Sequence, residues 1–219
     1  MLRLYRSNRA ELLAELLAQE LRLEPPDPFE QVEVVVNTWP TSRWLGEQLA
    51  RVNGISALVR FPFPGSRLRQ LVQSVLSDAP AIEDPWRAER LVWTVLEVLP
   101  DLLQLDCASG LKEWWQRNGG QQKQLNRDQW QLARSLADAI DDYALYRPDE
   151  LADWMAGGAA GQLPEALRWQ PFLARALAER LPCMPFGLQV QQVVDLLRNG
   201  EDPALPLPKR LRLFGVSNL

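Results

Sequence analysis

The segment Val32-Glu33-Val34-Val35-Val36 constrains the fold of this chain more than any other feature. Continuous β-branched runs of this length are typical of strands buried on both faces of a parallel sheet. Leucines recur at helical spacing between residues 12 and 21, and a second helical pattern runs from 44 to 52. Residues 2–6 and 57–61 are two further predicted strands. This alternation of strands and helices predicts an α/β fold with a parallel sheet.

The sequence changes character after residue 65. From 66 to 207 nearly every segment has a helical pattern, and Gly- and Pro-rich turns separate the segments. Residues 210–216 then return to a strand pattern. We therefore predict one α/β domain, formed by 1–65 together with 208–219, that carries a large all-helical insertion at 66–207.

Short polar segments predict where three of the helices begin. Asn8, with Glu11 three residues later, has the spacing of a capping box. Asp84-Pro85 would place an acid at the cap and a proline in the first turn. Thr41 or Ser42 would fit the cap of the helix that follows the second strand.

Composition excludes several kinds of chemistry. The chain has no histidine, which rules out Ser-His and Cys-His nucleophile pairs and His-based metal sites. Cys107 and Cys183 stand far apart without a CxxC motif, so we expect reduced core residues and no metal site. No apolar run approaches the roughly 20 residues of a membrane span, and the start lacks a signal-peptide pattern, which predicts a cytoplasmic protein.

Several sequence blocks, spread over the whole chain, resemble the RecC family, the gamma chain of exodeoxyribonuclease V. The most specific block combines Tyr143, Tyr146-Arg147-Pro148-Asp149, Leu151 and Trp154, which no generic α/β protein requires. The other blocks are MLRLYRSNR at 1–9, DPFE at 27–30, WL at 44–45, FPFP at 61–64, RWQP at 168–171 and FGVSNL at 214–219. The resemblance implies an amino-terminal fragment of a longer protein.

The resemblance also implies a fold and a set of partners. The fold would be a P-loop-like sheet similar to domain 1A of superfamily 1 helicases, with 66–207 similar to domain 1B. The partners would be the RecB and RecD subunits and the single-stranded 3′ tail of DNA, in the repair and recombination of double-strand breaks. The alternative is a structural scaffold that only docks the motor subunits.

The phosphate-binding features of a working helicase are missing. Arg6-Ser7-Asn8-Arg9 occupies the first strand-to-helix loop, and it contains neither glycine nor the GK[ST] triplet that ATP binding needs. The strand pattern at 210–216 leads into no pair of carboxylates for magnesium. We therefore expect no catalytic site and no cofactor in this chain, with ATP and magnesium confined to the partner subunits.

Residues 37–69 form the first predicted DNA-binding region. Residues 40–70 hold five arginines and one glutamate, a net charge of +4 in a chain of net charge −4. Hydroxyls, arginines and aromatic rings suit phosphate contacts and base stacking. Scattered arginines can equally form a solvated face, and Trp44 is expected in the core. The predicted contacts are Thr38, Trp39, Arg43, Phe63, Arg67 and Arg69.

A second predicted region lies on one helical face. Asp138, Asp141 and Asp142 have i, i+3 and i+4 spacing, and Arg147 follows. Three carboxylates could suggest two-metal nuclease chemistry. Helical carboxylates without a partner on a strand or a nearby lysine more often form a solvated or arginine-paired face. The resemblance implies a different role, in which this helix lines the channel that scans the unwound 3′ strand for the Chi sequence.

Overall fold

The computed structural model describes residues 2–27, 29–76, 84–119, 125–158 and 163–215. The chain divides into two compact units, which we call the sheet unit (Met1–Ser74 with Leu205–Leu219) and the helical unit (Val75–Ala204). The elements are α1 (Ala10–Leu23), β1 (Val32–Val36), α2 (Trp39–Asn53), β2 (Val59–Arg60), α3 (Pro64–Val75), α4 (Ala88–Leu102), α5 (Ser109–Arg117), α6 (Arg127–Tyr146), α7 (Pro148–Met155), α8 (Gln170–Ala178), α9 (Phe186–Arg198) and β3 (Arg212–Phe214). The mixed α/β class predicted from the sequence is confirmed.

A small parallel sheet organises the sheet unit. Its strand order is β2-β1-β3, and β1 pairs in parallel with both neighbours. Val32 lies opposite Val59, and Val34 lies opposite Arg212. The predicted strand 32–36 is confirmed, and β2 and β3 lie within the predicted ranges 57–61 and 210–216, of which residue 216 lies outside the described residues.

The central strand is buried on both faces, which explains its continuous apolar sequence. Val34 and Val36 belong to a core that also contains residues of α1 and α2, including Leu45 and Leu49. Because side chains alternate along a strand, Glu33 points to the opposite face, where it meets α3. Burial of each valine or leucine stabilises the fold by about 1.5–3 kcal/mol.

Two predictions for the amino-terminal segment are wrong. Residues 2–6 form no strand. An alternating pattern only makes a segment compatible with a sheet. Within the described residues, no backbone hydrogen bond joins residues 2–6 to a strand. Helix α1 begins at Ala10, after Arg9, so Asn8 and Glu11 do not form a capping box. The Ser7 hydroxyl oxygen accepts a hydrogen bond from the Arg9 amide at 3.0 Å, which holds the turn before the helix.

In the helical unit every regular element of the described residues is helical. Helix α4 packs against α6 and α8, and α7 packs against α8. Their shared core contains Leu91, Val95, Leu173 and Leu177, all fully buried. Trp86 is also buried, and its indole N–H donates to the carbonyl oxygen of Cys183 at 2.7 Å.

The two long helices of this unit begin in different ways. Helix α6 has a capping box, in which Asn126 accepts from the Gln129 amide and Gln129 accepts from the Asn126 amide. The predicted start of a helix at Asp84-Pro85 is wrong, because α4 begins only at Ala88. Asp84 instead accepts from the amide of Trp86 at 3.0 Å and holds a turn ahead of the helix.

Candidate nucleic-acid interface

The carboxyl ends of the three strands meet at one edge of the sheet. The Val36 amide donates to the carbonyl of Pro62 at 3.1 Å, which holds the ends of β1 and β2 together. The Asn37 side-chain amide donates to the carbonyl of Gly215 at 3.5 Å, which links the end of β1 to that of β3. We call Asn37–Trp39, Phe63 and Gly215 the sheet-edge surface. Open α/β sheets bind ligands at this edge, where the strand order reverses on either side of a central strand.

The start of α2 presents Trp39 to solvent. Thr38 is the N-cap, with extended φ and ψ, and its hydroxyl oxygen accepts from the Thr41 amide at 3.3 Å. The predicted cap at Thr41 or Ser42 is therefore wrong, and the Ser42 hydroxyl donates instead to the Trp39 carbonyl at 2.7 Å. These bonds fix the first turn, while the Trp39 side chain remains 71% exposed. Thr38 and Trp39 are among the predicted contacts, and Asn37 lies in the same predicted region, 37–69, although it was not selected as a contact.

A second exposed aromatic residue follows the neighbouring strand. Phe63 comes after β2 and is 41% exposed, whereas Phe61 packs against the core of the sheet unit. Trp44, predicted as a core residue, also packs against that core, with its ring centroid 6.0 Å from that of Phe214. The structure therefore leaves Trp39 and Phe63, but not Trp44, as aromatic faces at the sheet edge.

The three predicted arginines differ in solvent exposure and in ion pairing. Arg43 is largely exposed and lies 3.6 Å from Glu47, in a solvent-facing i, i+4 pair. The Arg67 side chain is only 12% exposed, and its Nε lies 2.9 Å from the Glu33 carboxylate in an ion pair without hydrogen-bond alignment. Arg69 is half-buried. Of the three, Arg43 is the one that stands out into solvent.

Of the three predicted aspartates of α6, Asp138 and Asp141 have separate partners. The Asp141 carboxylate accepts from the Ala88 amide at 3.1 Å and lies 3.4 Å from Arg87, so it caps α4. Burial raises the pKa of the Asp141 carboxyl, against the opposing effects of the Ala88 amide and Arg87. Asp138 pairs with Arg134 at 3.0 Å, and Asp142 is exposed.

Arg147 lies at the junction between α6 and α7. Its guanidinium is 5.7 Å from the centre of the Tyr143 ring and 3.5 Å from the Glu150 carboxylate. The Tyr143 ring in turn lies 4.9 Å from the buried Trp154. Tyr146 is 79% exposed, and sequence reasoning did not select it as a site residue although it belongs to the Tyr-Arg-Pro block.

The predicted site residues thus fall into two groups. The sheet unit holds Thr38, Trp39, Arg43, Phe63, Arg67 and Arg69, and the helical unit holds Asp138, Asp141, Asp142 and Arg147. Within the first group, the strand ends bring Thr38, Trp39 and Phe63 to one edge.

Within the described ranges, no cluster of three or more acidic or cysteine residues has a geometry that could hold a metal ion. No helix there is both long enough and apolar enough to cross a bilayer.

Comparison with known proteins identifies the family. Residues 2–219 match the family described as "RecC, N-terminal domain". The chain is 31% identical to the RecBCD enzyme subunit RecC of Escherichia coli K12, 33% to that of Mycolicibacterium smegmatis and 34% to that of Mycobacterium tuberculosis H37Rv. Each match covers 100% of this chain and 19–20% of the relative, so the chain spans about a fifth of the length of these relatives. The resemblance predicted from the sequence blocks is confirmed, and the chain belongs to the RecC family, where it corresponds to the N-terminal domain.

Proposed function

We propose that this chain is a non-catalytic, DNA-engaging part of a RecBCD-type helicase–nuclease assembly in double-strand break repair. The observation that carries the proposal is the pair of exposed aromatic side chains, Trp39 and Phe63, at the carboxyl edge of the sheet. They follow adjacent parallel strands, and superfamily 1 helicases touch single-stranded DNA at the corresponding junction. The sheet would be that of a helicase domain 1A which has lost its own ATP site.

The chemistry of the sheet-edge surface suits single-stranded DNA. Aromatic side chains that stack on bases contribute about 1–3 kcal/mol per base, with little dependence on sequence. Arg43 lies one turn after Trp39 on α2 and supplies an exposed cation for a phosphate. Arg67 contributes less, because its guanidinium is already paired with Glu33.

The second part of the proposal concerns the recognition of sequence by the helical unit. Arg147 and Tyr146 are exposed at the end of α6, where a guanidinium and a ring can read or stack on an unpaired base. Asp138 and Asp142 offer acceptors for exocyclic amines, while Asp141 positions α4. In this proposal the helical unit scans the 3′ strand for a Chi-like sequence, and RecB and RecD supply the ATP-dependent motors and the nuclease.

Binding of a labelled single-stranded oligonucleotide to the assembled complex, measured by fluorescence anisotropy, tests the first part. We expect Trp39→Ala to weaken binding by about 5- to 150-fold, which is the loss of one stacked base. Arg43→Ala should weaken it less and lower the salt dependence by about one phosphate. Phe29→Ala, which removes an exposed aromatic side chain that precedes β1 in the same unit, is the matched control. Unchanged affinity in Trp39→Ala would refute the proposed interface.

The second part needs a readout of discrimination. Arg147→Ala should reduce the preference for a Chi-containing strand by about 1–3 kcal/mol and leave non-specific affinity nearly unchanged. Arg198→Ala, at the end of α9, removes one cation from the same unit and controls for charge. An equal loss of affinity for all sequences would show that Arg147 only attracts phosphate.

A structural scaffold is the second candidate function, and one observation favours it. Trp93 is 59% exposed on α4, and its ring centroid lies 5.0 Å from that of Trp130 on α6. Exposed tryptophans are frequent anchors at protein interfaces. If Trp93→Ala prevents assembly with the partner subunits while Trp39→Ala leaves DNA binding intact, the scaffold function is the better description.

A further inference from the structure

The main chain of Arg147 is held by the two helices that it connects. Its amide donates to the carbonyl oxygen of Tyr143 at 2.9 Å, at the end of α6, and its own carbonyl oxygen accepts from the Leu151 amide at 3.2 Å, in α7. Pro148 follows directly and restricts the backbone of Arg147 further. Because Leu151 is fully buried, α7 is itself fixed to the core. The fold of the helical unit therefore determines the point from which the Arg147 side chain extends.

The ring of Tyr143 is anchored by two neighbouring helices. Its centroid lies 4.9 Å from that of Trp154, a buried residue of α7. Its hydroxyl donates to the side-chain oxygen of Gln170 at 3.4 Å, and Gln170 is a buried residue of α8. The ring is thus a fixed surface at the end of α6.

The guanidinium of Arg147 has two restraints and two free donors. It lies over the Tyr143 ring at 5.7 Å from the ring centre, within the range of about 6 Å in which an aromatic ring attracts a cation. Its Nη1 group donates to the Glu150 carboxylate at 3.5 Å. Within the described residues Nε and Nη2 donate no hydrogen bond, and the side chain is 66% exposed. The ring and the carboxylate therefore hold a guanidinium whose remaining N–H groups are available to a ligand.

A held guanidinium suits the recognition of a base better than the attraction of a phosphate. Two N–H donors in the plane of a guanidinium match two acceptors on one base edge, such as O6 and N7 of guanine. A freely moving arginine loses rotamer freedom when it makes such a contact, and one that is already held in place loses less. Attraction of a phosphate depends mainly on charge and gains less from a fixed orientation.

We propose that Tyr143 is a positioning residue, whose ring holds the Arg147 guanidinium in the orientation that reads a base of the unwound strand. The inference rests on the proposed role of the helical unit in recognising sequence, and it adds a residue that acts only through Arg147. The ring carries this role, and the hydroxyl anchors the ring to Gln170. The spacing of the Tyr-x-x-Tyr-Arg-Pro block then has a physical reason, because side chains four residues apart meet on one face of a helix.

Substitutions of Tyr143 that keep or remove the ring test the proposal in the assembled complex. Fluorescence anisotropy measures the affinity for a Chi-containing strand and for a control strand of the same length, and the ratio of the two is the preference. Tyr143→Leu should lower the preference about 2- to 5-fold, which corresponds to one exposed cation–π contact, and leave the affinity for the control strand nearly unchanged. Tyr143→Met, which also lacks the ring, should behave in the same way. Tyr143→Phe keeps the ring and should retain the preference, so equal losses in Tyr143→Phe and Tyr143→Leu would overturn the proposal.

A double-mutant cycle shows whether Tyr143 acts through Arg147. In an Arg147→Ala background, Tyr143→Leu should cause no further loss of preference. An equal loss in both backgrounds would contradict a role through Arg147. Trp115→Leu, which removes a half-buried ring of α5 that packs against the same core, is the matched control and should leave the preference unchanged. The same loss in Trp115→Leu would show that a loosened core is sufficient, and this result would also overturn the proposal.

The result with Arg147→Ala separates this inference from the proposed function. If Arg147→Ala loses the preference while Tyr143→Leu and Tyr143→Met keep it, Tyr143 has no positioning role and the proposed function stands. If Arg147→Ala keeps the preference, the reading role of Arg147 is refuted, and the inference fails with it. The expected result is a loss of preference in Arg147→Ala and in Tyr143→Leu, with the preference retained in Tyr143→Phe.

Discussion

The helical unit buries a large apolar core among its own helices, whereas the sheet unit leaves apolar side chains of its amino-terminal segment and of β3 exposed. Leu91, Leu173 and Leu177 are fully buried among α4, α6, α7 and α8. In the sheet unit the central strand and the faces of α1 and α2 that pack on it are comparably buried, whereas Leu2, Leu4 and Leu213 remain exposed. Helices satisfy their backbone hydrogen bonds internally, but a strand needs neighbours. A helical unit can therefore complete itself within a short stretch of chain, while a sheet depends on every segment that joins it.

The largest expected effect separates the two cores. Leu91→Ala removes a fully buried side chain of the helical unit and should lower its free energy of unfolding by about 2–5 kcal/mol. Because Leu91 belongs to a different core cluster from β1, hydrogen exchange should quicken in α8 and stay unchanged in residues 32–36.

The reciprocal variant provides the control. Leu45→Ala, in the core of the sheet unit, should accelerate exchange in residues 32–36 and leave α8 unaffected. If either substitution destabilises both regions equally, the two units unfold as one and the comparison above fails.

A smaller effect is expected where two helices of the helical unit approach closely. A Cβ atom at Gly187 would collide with the backbone oxygen of Ala144 and would lie 3.0 Å from the Pro148 side chain. Gly187→Ala should therefore destabilise this unit by about 1–3 kcal/mol, measured by urea unfolding. Gly110 in α5 has no neighbouring atom within 4 Å, so Gly110→Ala should be neutral or stabilising. Equal effects at both positions would show that α9 can shift freely.

The smallest effect concerns the carboxylate that caps α4. Asp141→Ala removes the acceptor of the Ala88 amide and should cost about 1–2 kcal/mol, whereas Asp141→Asn keeps an acceptor and should cost less than about 1 kcal/mol. Urea midpoints of the three proteins at neutral pH measure this order. Equal losses in both variants would mean that the negative charge matters and the amide bond does not.

The same residue makes a prediction about pH. Burial raises the pKa of Asp141 above its ordinary value of 3.8, so the folded chain binds this proton more tightly than the unfolded chain. As pH falls through the raised pKa towards the ordinary value, protonation of Asp141 favours folding. The wild type should therefore gain stability relative to Asp141→Asn over that range, and a difference that does not change with pH would contradict the shift.

The contrast between the units also explains which parts of the fold could be predicted. The run of valines in β1 gave the central strand, because burial on both faces leaves a continuous apolar sequence. Residues 2–6 have a compatible pattern, but a strand requires a partner, and alternation says nothing about whether the partner is present. The start of α4 was missed for a similar reason, since its cap comes from Asp141, 53 residues further along the chain.

The candidate site was predicted unevenly for related physical reasons. Thr38 and Trp39 could be selected because a strand-to-helix junction places its residues at the sheet edge regardless of the rest of the fold. Arg67 was counted as a free cation, and its pairing with Glu33 depends on how α3 packs across β1, which charge counting cannot reveal. The sequence therefore predicts the local geometry of the junction, but it does not predict which charged side chains pair in the folded structure.

The contact between Asn37 and Gly215 has a consequence for protein synthesis. The two residues are 178 positions apart, so at typical translation rates β3 leaves the ribosome roughly 10–35 s after β1. During that interval β1 has only the short β2 as a neighbouring strand. The helices of the intervening segment have their main contacts within that segment, so they can fold before β3 is made. Once folded, the helical unit shortens the length of flexible chain that β3 must close to reach β1. Slow elongation between residues 75 and 204 would thus aid folding, and a nascent chain arrested before residue 212 would expose β1 to chaperones.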